Sequence, residues 1–521
     1  MLNSKTAFLF ILLSVLPLLA FAQYFSKSID LDQSGDSGWN IFTLDEELLI
    51  FVASTYHGAS ATALVKTDFE GHVLSTKIFE EAKAPTRNAI LLEDSSIILL
   101  TRPIPALPNR IQVARLDMEG EVLQEWAFGE ELEYEIPFGI TPFGSGYVVF
   151  GALLPPGQAP STGFQLYFNQ QFELQNSLFF EENAPLGIVA ETDFIPTQGN
   201  KLLGANVDGF VGEEEGILTM LDSSGQVVWQ RGLPIVDPES NFLSVLELDN
   251  GNLAAGWFYE LEAVEYPLLD FGTVIYGLSP EGDSLWAHYY LTFETDLKAV
   301  LELDKAANGD IIGSGYAWKE IEEELPPAYV GWIFRMSPQG EPIWDRYIYD
   351  ARSPKRDAWL QSATELPNGD LVFTGSYADT LTVDGNVVRN TDVWLVRVDS
   401  NGCLTPGCAD LQVVTDTGIV QITATKDRPR EEAGQGPFRL FPNPAGSEVF
   451  LAAPAEVARP FEHLELRLFS ALGQPVLERR WQRWLPGQQE AIDISHLPPG
   501  WYTWVLAASE GWLQSGKLVV R

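Results

Sequence analysis

One short phrase recurs along the chain, and this repetition constrains the fold more than any other feature of the sequence. The phrase begins with an alternating apolar segment, which is followed by a polar residue and two further residues. A Gly comes next in most copies, and a second alternating segment ends the phrase. Consecutive copies are 49 to 62 residues apart, and the copy around Asn169 is degenerate. A steady period is the signature of repeat architectures. The polar residues that anchor the seven copies are Asp68, Asp117, Asn169, Asp222, Ser279, Ser337 and Asp399.

A second phrase precedes each anchor and completes a four-stranded unit. It is a turn, in most copies bearing Gly, that enters an apolar strand, as in LDNGNLAAGWF and ANGDIIGSGYA. Such turns between apolar segments are the strongest short-range signal for a β-hairpin. Four-stranded units at this period predict a β-propeller. Seven copies predict seven blades, and the degenerate copy leaves six or eight open.

The two ends of the repeat array complement each other. The last repeat, residues 358–399, supplies three strands and then runs into a cysteine-bearing loop, so its outer strand is missing. Residues 24–31, YFSKSIDL, resemble the outer strands of other repeats but belong to no complete copy. We therefore expect residues 24–31 to pair as the outer strand of the seventh blade and close the ring.

The first 22 residues have the pattern of a signal peptide. An apolar run follows Lys5, and the segment ends in Ala20-Phe21-Ala22. Small residues at these positions predict cleavage between Ala22 and Gln23. The alternative is a buried N-terminal helix or a membrane anchor. No later segment reaches the length of about 18 apolar residues that a membrane helix needs, so no transmembrane segment is expected after signal removal.

Export changes the interpretation of the two cysteines. Cys403 and Cys408 lie in NGCLTPGC, and the chain has no other cysteine. An oxidising compartment lets such a close pair form a disulfide, whereas a zinc site needs about four ligands. The sequence favours a small disulfide loop, with two free thiols as the alternative.

The C-terminal residues form a separate module. Residues 23–410 are assigned to the propeller, 411–437 to a linker without a packed core, and 438–521 to a small antiparallel β-sandwich. Four blocks of this module, FRLFPNPAGSEVFL, LELRLFSALGQPVL, AIDISHLPPGWYTWVL and GKLVVR, alternate and are separated by turn residues. They resemble, in order and spacing, the type A sorting domain of the Bacteroidetes type IX secretion system. Many members of that family carry Tyr where this chain has Phe441.

The resemblance implies a destination and a set of partners. It implies recognition by an outer-membrane translocon and removal of the module by a processing peptidase, with the cargo left on the cell surface or released. The alternative is an ordinary accessory sandwich on a secreted protein. The residues that carry the sorting motif are Pro442, Asn443, Pro444, Gly473, Asp493, Gly500, Tyr502, Gly516 and Lys517.

Charge excludes two classes of partner. The chain has 32 Lys and Arg against 72 Asp and Glu, a net charge of −40. Nucleic acids and anionic membranes are bound by cationic surfaces, so neither is an expected partner. Residues 438–521 contain eight basic and eight acidic residues, so the acidity belongs to the part before the sorting module.

The sequence contains no standard catalytic motif. Of the five histidines, only His57, in the loop segment STYHGASA, is a candidate for a binding or catalytic role. The other four are interpreted as packing or surface residues: His72, His288, His463 and His496. The acidic runs 213–215 and 320–324 are expected to be solvated loops rather than catalytic carboxylate pairs.

Two further sets of residues have a structural and a functional interpretation. Trp229, Trp286 and Trp344 each follow a repeat Gly by four residues and are expected to pack blade against blade, because equivalent positions spread around a ring. The alternative is a ligand-stacking set. Asp30, Asp32 and Asp36 are spaced loosely like a calcium loop but lack the terminal Glu of an EF-hand. Ca²⁺ is the one ion these residues could take, and no other cofactor is predicted.

Together these observations predict an exported all-β protein, a seven-bladed β-propeller followed by a β-sandwich sorting domain. The leading functional hypothesis is a secreted or cell-surface module, without enzymatic activity, that binds a glycan or a protein at the loop-bearing face of the propeller. The alternative is an extracellular polysaccharide-degrading hydrolase or lyase with its site at the mouth of the channel.

Overall fold

The regular secondary structure of the described residues consists of β-strands. No described helix has the length and apolar character that a membrane crossing requires. The computed structural model describes residues 24–31, 35–56, 59–79, 82–83, 89–103, 111–128, 135–153, 162–181, 189–208, 215–234, 243–261, 270–291, 297–319, 328–351, 358–383, 386–415, 418–421, 438–453, 461–470, 475–485, 487–508 and 512–521.

The strands that precede the C-terminal module are numbered in chain order. They are β1 Phe25–Ile29, β2 Asp36–Leu44, β3 Glu47–Tyr56, β4 Ala59–Asp68, β5 Val73–Phe79, β6 Ala82–Lys83, β7 Ala89–Leu91, β8 Ile97–Pro103, β9 Ile111–Leu116, β10 Val122–Phe128, β11 Glu135–Phe143, β12 Gly146–Leu153, β13 Thr162–Phe168, β14 Leu174–Glu181, β15 Val189–Thr197, β16 Lys201–Asp208, β17 Glu215–Leu221, β18 Val227–Pro234, β19 Leu243–Glu247, β20 Leu253–Leu261, β21 Asp270–Leu278, β22 Ser284–Leu291, β23 Leu297–Lys305, β24 Ile311–Lys319, β25 Ala328–Met336, β26 Pro342–Asp350, β27 Ala358–Glu365, β28 Leu371–Val383, β29 Asn386–Val398, β30 Leu411–Thr415 and β31 Gly418–Gln421.

In the described residues these strands form seven sheets, which we call blades 1 to 7 in chain order. Blades 1 to 5 are β2–β5, β6–β10, β11–β14, β15–β18 and β19–β22. Blade 6 is β23–β26 with β30 and β31 added, and blade 7 is β27–β29 with β1 added. The innermost strands are β2, β7, β11, β15, β19, β23 and β27, and each blade contacts the next, including blade 7 with blade 1. The result is the expected β-propeller, an arrangement in which each sheet packs its faces on its neighbours.

The ring closes as the sequence predicted. Strand β1 pairs antiparallel with β29, with Phe25 opposite Arg397 and Ile29 opposite Val393. The Trp394 Nε1–H donates to Ser26 Oγ at 2.8 Å, and the Ser26 hydroxyl donates to Asp350 Oδ2 at 2.9 Å in blade 6. The N-terminal strand therefore joins the last blade to its neighbour as well as completing it.

The repeat anchors form the turns between the third and fourth strands. Asp222 Oδ1 accepts the N–H groups of Ser224 at 2.8 Å and Gln226 at 3.0 Å. Such side-chain to backbone bonds fix a turn locally, which is why the anchor recurs. In the degenerate copy Phe172 takes the place of Gly at φ 57°, and its ring stacks on Tyr147 at 4.6 Å. Burial of that ring, which is 3% exposed, offsets the backbone cost.

The three repeat tryptophans pack blade against blade, as predicted. The Nε1–H groups of Trp229 and Trp344 donate to the carbonyl oxygens of Pro280 and Ser400, in the next blade's turn, at 2.9 and 3.1 Å. The Trp286 ring lies against Gly340, where no side chain could fit beside it. These contacts run around the outer rim, so the tryptophans do not converge on one ligand.

The segment after blade 7 returns to blade 6. Strand β30 pairs in parallel with β26, with Tyr347 opposite Leu411, and β31 pairs with β30. Both strands, 411–415 and 418–421, lie in the range 411–437 assigned from sequence to the linker. Cys403 and Cys408 form the predicted disulfide. The side chain of Gln412 holds the disulfide loop in place. It accepts the Leu404 N–H at 2.6 Å and donates to the Gly402 carbonyl at 2.8 Å.

The C-terminal module is a small sandwich, as expected. Its three-stranded sheet has the order β32-β33-β36 and its four-stranded sheet the order β35-β34-β37-β38. Leu464, Leu466 and Leu468 alternate inward from β34 and pack with the fully buried Trp484. The strands are β32 Arg439–Phe441, β33 Glu448–Ala452, β34 Phe461–Phe469, β35 Pro475–Trp484, β36 Gln489–Asp493, β37 Gly500–Ala508 and β38 Trp512–Val520.

Candidate functional site

A cavity of about 670 Å³ lies in the central channel of the propeller. Its volume falls in the range of about 300–1,000 Å³ that is typical of small-ligand sites. The innermost strands of blades 1, 2, 3, 4, 6 and 7 line it, near the end where they turn into the second strands. Lys305 and Ala307, at the rim, are exposed, so the cavity opens to solvent at this mouth.

One side of the cavity is mainly apolar, and we call it the apolar arc. It is formed by blades 1 to 4, whose inner strands are interrupted here only by Asn40, Thr43 and Thr141. Leu91 and Ile195 are half-buried and offer surface to a ligand. The apolar arc consists of Ile41, Phe42, Ile90, Leu91, Ile140, Pro142, Phe194 and Ile195. Ile41, Ile140 and Phe194 are buried in the cores of the blades, and the other five are half-buried or exposed.

The opposite side carries the charged side chains that line the cavity in the described part of the chain, and we call it the acidic arc. It consists of Glu302, Asp304 and Lys305 of blade 6 and Glu365 of blade 7. Three carboxylates therefore stand beside one ammonium group. The cavity is divided by character, with apolar side chains on one side and hydrogen-bond acceptors on the other.

The charged groups of the acidic arc also hold the blades together. Asp304 Oδ2 accepts the Ala363 N–H of blade 7 at 3.1 Å, and Glu365 Oε2 accepts the Ala307 N–H of blade 6 at 2.5 Å. The Lys305 ammonium donates to Asp249 Oδ1 of blade 5 at 2.7 Å. The bonds of Asp304 and Glu365 fix these two carboxylates in place before any ligand arrives, which lowers the entropy cost of binding.

Arg335 is the second cation near the acidic arc. Its Nη2 lies 4.0 Å from Glu365 Oε1, and its Nε–H donates to Asp310 Oδ2 at 2.8 Å. Arg335 is 8% exposed and lies in the blade behind the lining. Its charge therefore supports Glu365 from within the sheet.

Several described carboxyls in the turns of the blades have a lowered pKa. For Asp94 and Asp222, the side-chain hydrogen bonds from Ser96 and Ser224 are the largest cause of the lowered pKa. For Asp68, burial acts to raise the pKa, but hydrogen bonds from His72 and Glu70 outweigh it. A carboxyl with a lowered pKa is ionised at neutral pH and is a poor general acid. These groups stabilise turns.

The histidines that the structure describes have structural surroundings. His72 is exposed and its Nδ1 lies 2.9 Å from Asp68 Oδ2. The His288 ring packs on Tyr290 at 4.6 Å. His463 and His496 are exposed in the C-terminal module. The candidate His57 lies outside the described residues.

The structure describes two of the three residues suggested as calcium ligands. Asp36 is 1% exposed, and its Oδ2 accepts the Leu31 N–H at 2.9 Å. Asp30 is described and Asp32 is not. Among the described residues no group of three or more metal-ligating side chains comes together. Calcium binding therefore stays a prediction, and the signal cleavage site, Ala22 and Gln23, also lies outside the described residues.

The structure brings several sorting-motif residues together where the first and last strands of the module meet. The Asn443 side chain donates to the Lys517 carbonyl at 2.7 Å and accepts the Val519 N–H at 2.9 Å. Pro442 and Pro444 flank it and are exposed. The motif thus anchors the terminal strand β38.

The remaining motif residues shape turns and strand ends. The Tyr502 hydroxyl donates to the Pro498 carbonyl at 2.7 Å, and Asp493 Oδ1 accepts the Ser495 N–H at 2.9 Å. Gly500 begins β37, and Gly516 lies opposite Trp504. The described part of the chain does not include Gly473.

Sequence reasoning did not find the cavity residues. Glu302, Asp304 and Glu365 belong to no motif, and Glu365 lies in the repeat after the one that holds Glu302 and Asp304. Their common signal is position, since each lies near the end of an innermost strand, just before the first turn of its repeat.

Comparison with a family model identifies the C-terminal module. Residues 439–521 match the secretion system C-terminal sorting domain. The protein carries a type IX sorting domain. The sorting domain directs the acidic propeller through the type IX system, to the cell surface or to secretion.

Several solved structures show a distant overall similarity. The α-L-arabinanase of Penicillium chrysogenum is 12% identical, with 61% of this chain and 94% of that chain covered and a TM-score of 0.38. The β-propeller domain of the Trilobed protease from Pyrococcus furiosus is 11% identical, with 72% of this chain and 94% of that chain covered and a TM-score of 0.38. Drosophila Semaphorin 2a is 8% identical, with 95% of this chain and 98% of that chain covered and a TM-score of 0.42. These similarities are too distant to support a function. No curated protein matches the chain significantly.

Proposed function

We propose that the exported propeller is a binding module without enzymatic activity, and that it captures a glycan in its central cavity. The observation that carries this proposal is the division of the cavity lining. Sugar rings present apolar C–H faces and a rim of hydroxyl donors, and the apolar and acidic arcs offer partners for both. A site of this kind, largely preformed and with few polar groups at fixed places, is typical of small-ligand recognition.

The hydrogen bonds of the acidic arc support binding over catalysis. Asp304 and Glu365 each hold a main-chain N–H of the neighbouring blade, so both carboxylates are part of the scaffold. Glycoside hydrolysis needs one carboxyl that gives up a proton to the leaving group. Polysaccharide degradation is the second candidate, because three carboxylates of two blades line one cavity.

We propose further that the sorting domain is handled in two steps. The outer-membrane translocon recognises residues 438–521, and the processing peptidase separates them from the propeller. The anchoring of β38 by Asn443 supports recognition of an ordered module, because the terminal strand is held in the sandwich at Lys517 and Val519.

The test of the proposed function is a glycan array together with a polysaccharide-turnover assay on the exported protein. We expect retention of one or more glycans without new reducing ends or unsaturated products. Ala307→Trp should abolish binding, because Ala307 is exposed at the mouth and lines the cavity. Pro367→Trp is the matched control, since Pro367 is the equivalent exposed turn residue of blade 7. Product release that Ala307→Trp abolishes would establish the degrading enzyme instead.

A further inference from the structure

The charge of the cavity lining bears on which glycans can enter. We infer that the central cavity selects neutral or amino-bearing sugars and rejects sugars that carry a carboxylate. This inference rests on the proposed function and adds the chemical class of the ligand. It follows from the charges of the acidic arc and from the partners of the nearby cations.

The cations near the cavity are already engaged by carboxylates outside the lining. The Lys305 ammonium is 2.7 Å from Asp249 Oδ1, and the Arg335 Nε is 2.8 Å from Asp310 Oδ2. Among the residues that the structure describes, the groups named here are five carboxylates and two cations. An acidic sugar would therefore meet an excess of negative charge.

The lining carboxylates can recognise what a neutral or cationic sugar offers. Glu302, Asp304 and Glu365 are half-buried, so they remain within reach of a ligand in the cavity. A hydroxyl donates a hydrogen bond to a carboxylate, and an ammonium group forms the stronger charge-assisted bond. A ligand carboxylate can do neither while it stays ionised. Like charges placed together across an interface repel strongly and suppress binding of the wrong partner.

The local charge matters more than the net charge of the molecule. The chain carries −40 overall, but charges in solvent are screened over about 8 Å at physiological ionic strength. The three lining carboxylates face the ligand directly, where screening is weaker. Selection is therefore expected to persist at physiological salt and to shrink in concentrated salt.

The test uses ligands with the same sugar backbone that differ in the group at C6, a neutral hydroxyl or a carboxylate. Cello-, manno- and galacto-oligosaccharides are compared with the same oligosaccharides oxidised at C6 to carboxylates, on the full-length exported protein. We expect the neutral form of any ligand that binds to bind at least about tenfold more tightly than its oxidised form. A 2-amino derivative should bind at least as tightly as the neutral sugar.

Substitutions of the lining carboxylates test which residues cause the preference for neutral over oxidised ligands. Glu302→Gln and Glu365→Gln should narrow the difference between neutral and oxidised ligands, and the amide oxygen that Glu365→Gln introduces can still accept the Ala307 N–H. Glu93→Gln, in an exposed turn of blade 2 outside the lining, should leave the difference unchanged. Equal or tighter binding of the oxidised forms would overturn the inference while leaving glycan capture intact. Absence of binding to every neutral, amino and acidic glycan would overturn the proposed function as well.

Discussion

The residue that best shows how this propeller tolerates charge is Lys298, between blades 5 and 6. Its ammonium is 3.1 Å from Asp345 Oδ2, and the two residues are 8% and 6% exposed. The rings of Tyr290, Trp332 and Tyr347 surround the ammonium at 5.2 to 5.5 Å. Removing one partner of a buried pair leaves the other charge without compensation, which is costly.

We therefore expect Asp345→Ala to destabilise the protein strongly. The loss should be about 3–5 kcal/mol in the free energy of unfolding, because the buried Lys298 ammonium would lose the carboxylate at 3.1 Å. Guanidinium denaturation of the full-length protein measures it. The double variant Lys298→Met, Asp345→Leu should lose much less free energy of unfolding, since both charges of the pair are removed together. A loss below about 0.5 kcal/mol in the single variant would contradict this view of the pair.

Strand β1 decides whether the ring is closed. It supplies the outer strand of blade 7, and its Phe25 ring covers Gly71 in the turn of blade 1. Arg397, opposite Phe25, donates from Nη1 to the Phe69 carbonyl of blade 1 at 2.7 Å. One short element thus contributes both a sheet edge and a contact between the first and last blades.

Deleting residues 24–30 should open the ring. The edge of β29 would lose its partner, so we expect a lower unfolding temperature, a larger radius in small-angle scattering and a tendency to associate through the bare strand. Ser26→Ala is the control, because it removes the side-chain bonds to Trp394 and Asp350 but keeps the strand. It should cost only about 1–2 kcal/mol. An unchanged radius and stability after the deletion would show that β1 does not close the ring.

At the scale of the whole molecule, the propeller and the sorting domain differ in charge. The sandwich has a hydrophobic core of its own and no net charge, while the acidic residues in excess precede it. Each part can therefore fold on its own core.

A chain that ends at Gln421 should fold and fail to be exported. Its blades keep their contacts, including β30 and β31 on blade 6, so the protein should accumulate in the periplasm in a protease-resistant form. Immunoblots of cell fractions measure this. The control removes residues 424–436 and keeps the sorting domain, and it should reach the surface or the medium. Export of the truncated chain would contradict the role of residues 438–521.

Local rules explain why the fold was largely predictable. Each anchor residue bonds to its own turn, as Asp222 does to Ser224 and Gln226, and each strand alternates between the two faces of a blade. Such patterns involve residues close in sequence, so the strands and turns of each repeat can be predicted from that repeat alone. The addition of β30 to β26 was not predicted, because parallel pairing between residues 347 and 411 leaves no local trace.

The residues of the cavity, in contrast, could not be predicted from local sequence patterns. Glu302 and Glu365 become neighbours because two inner strands from successive repeats face one channel, and no spacing in the chain encodes that approach. The sequence by itself determined the repeat, the closing strand, the disulfide and the sorting domain, because each depends on contacts within a repeat or on a matched set of blocks. Only the tertiary structure decided where the charges of the channel meet, because that depends on how whole blades pack around the axis.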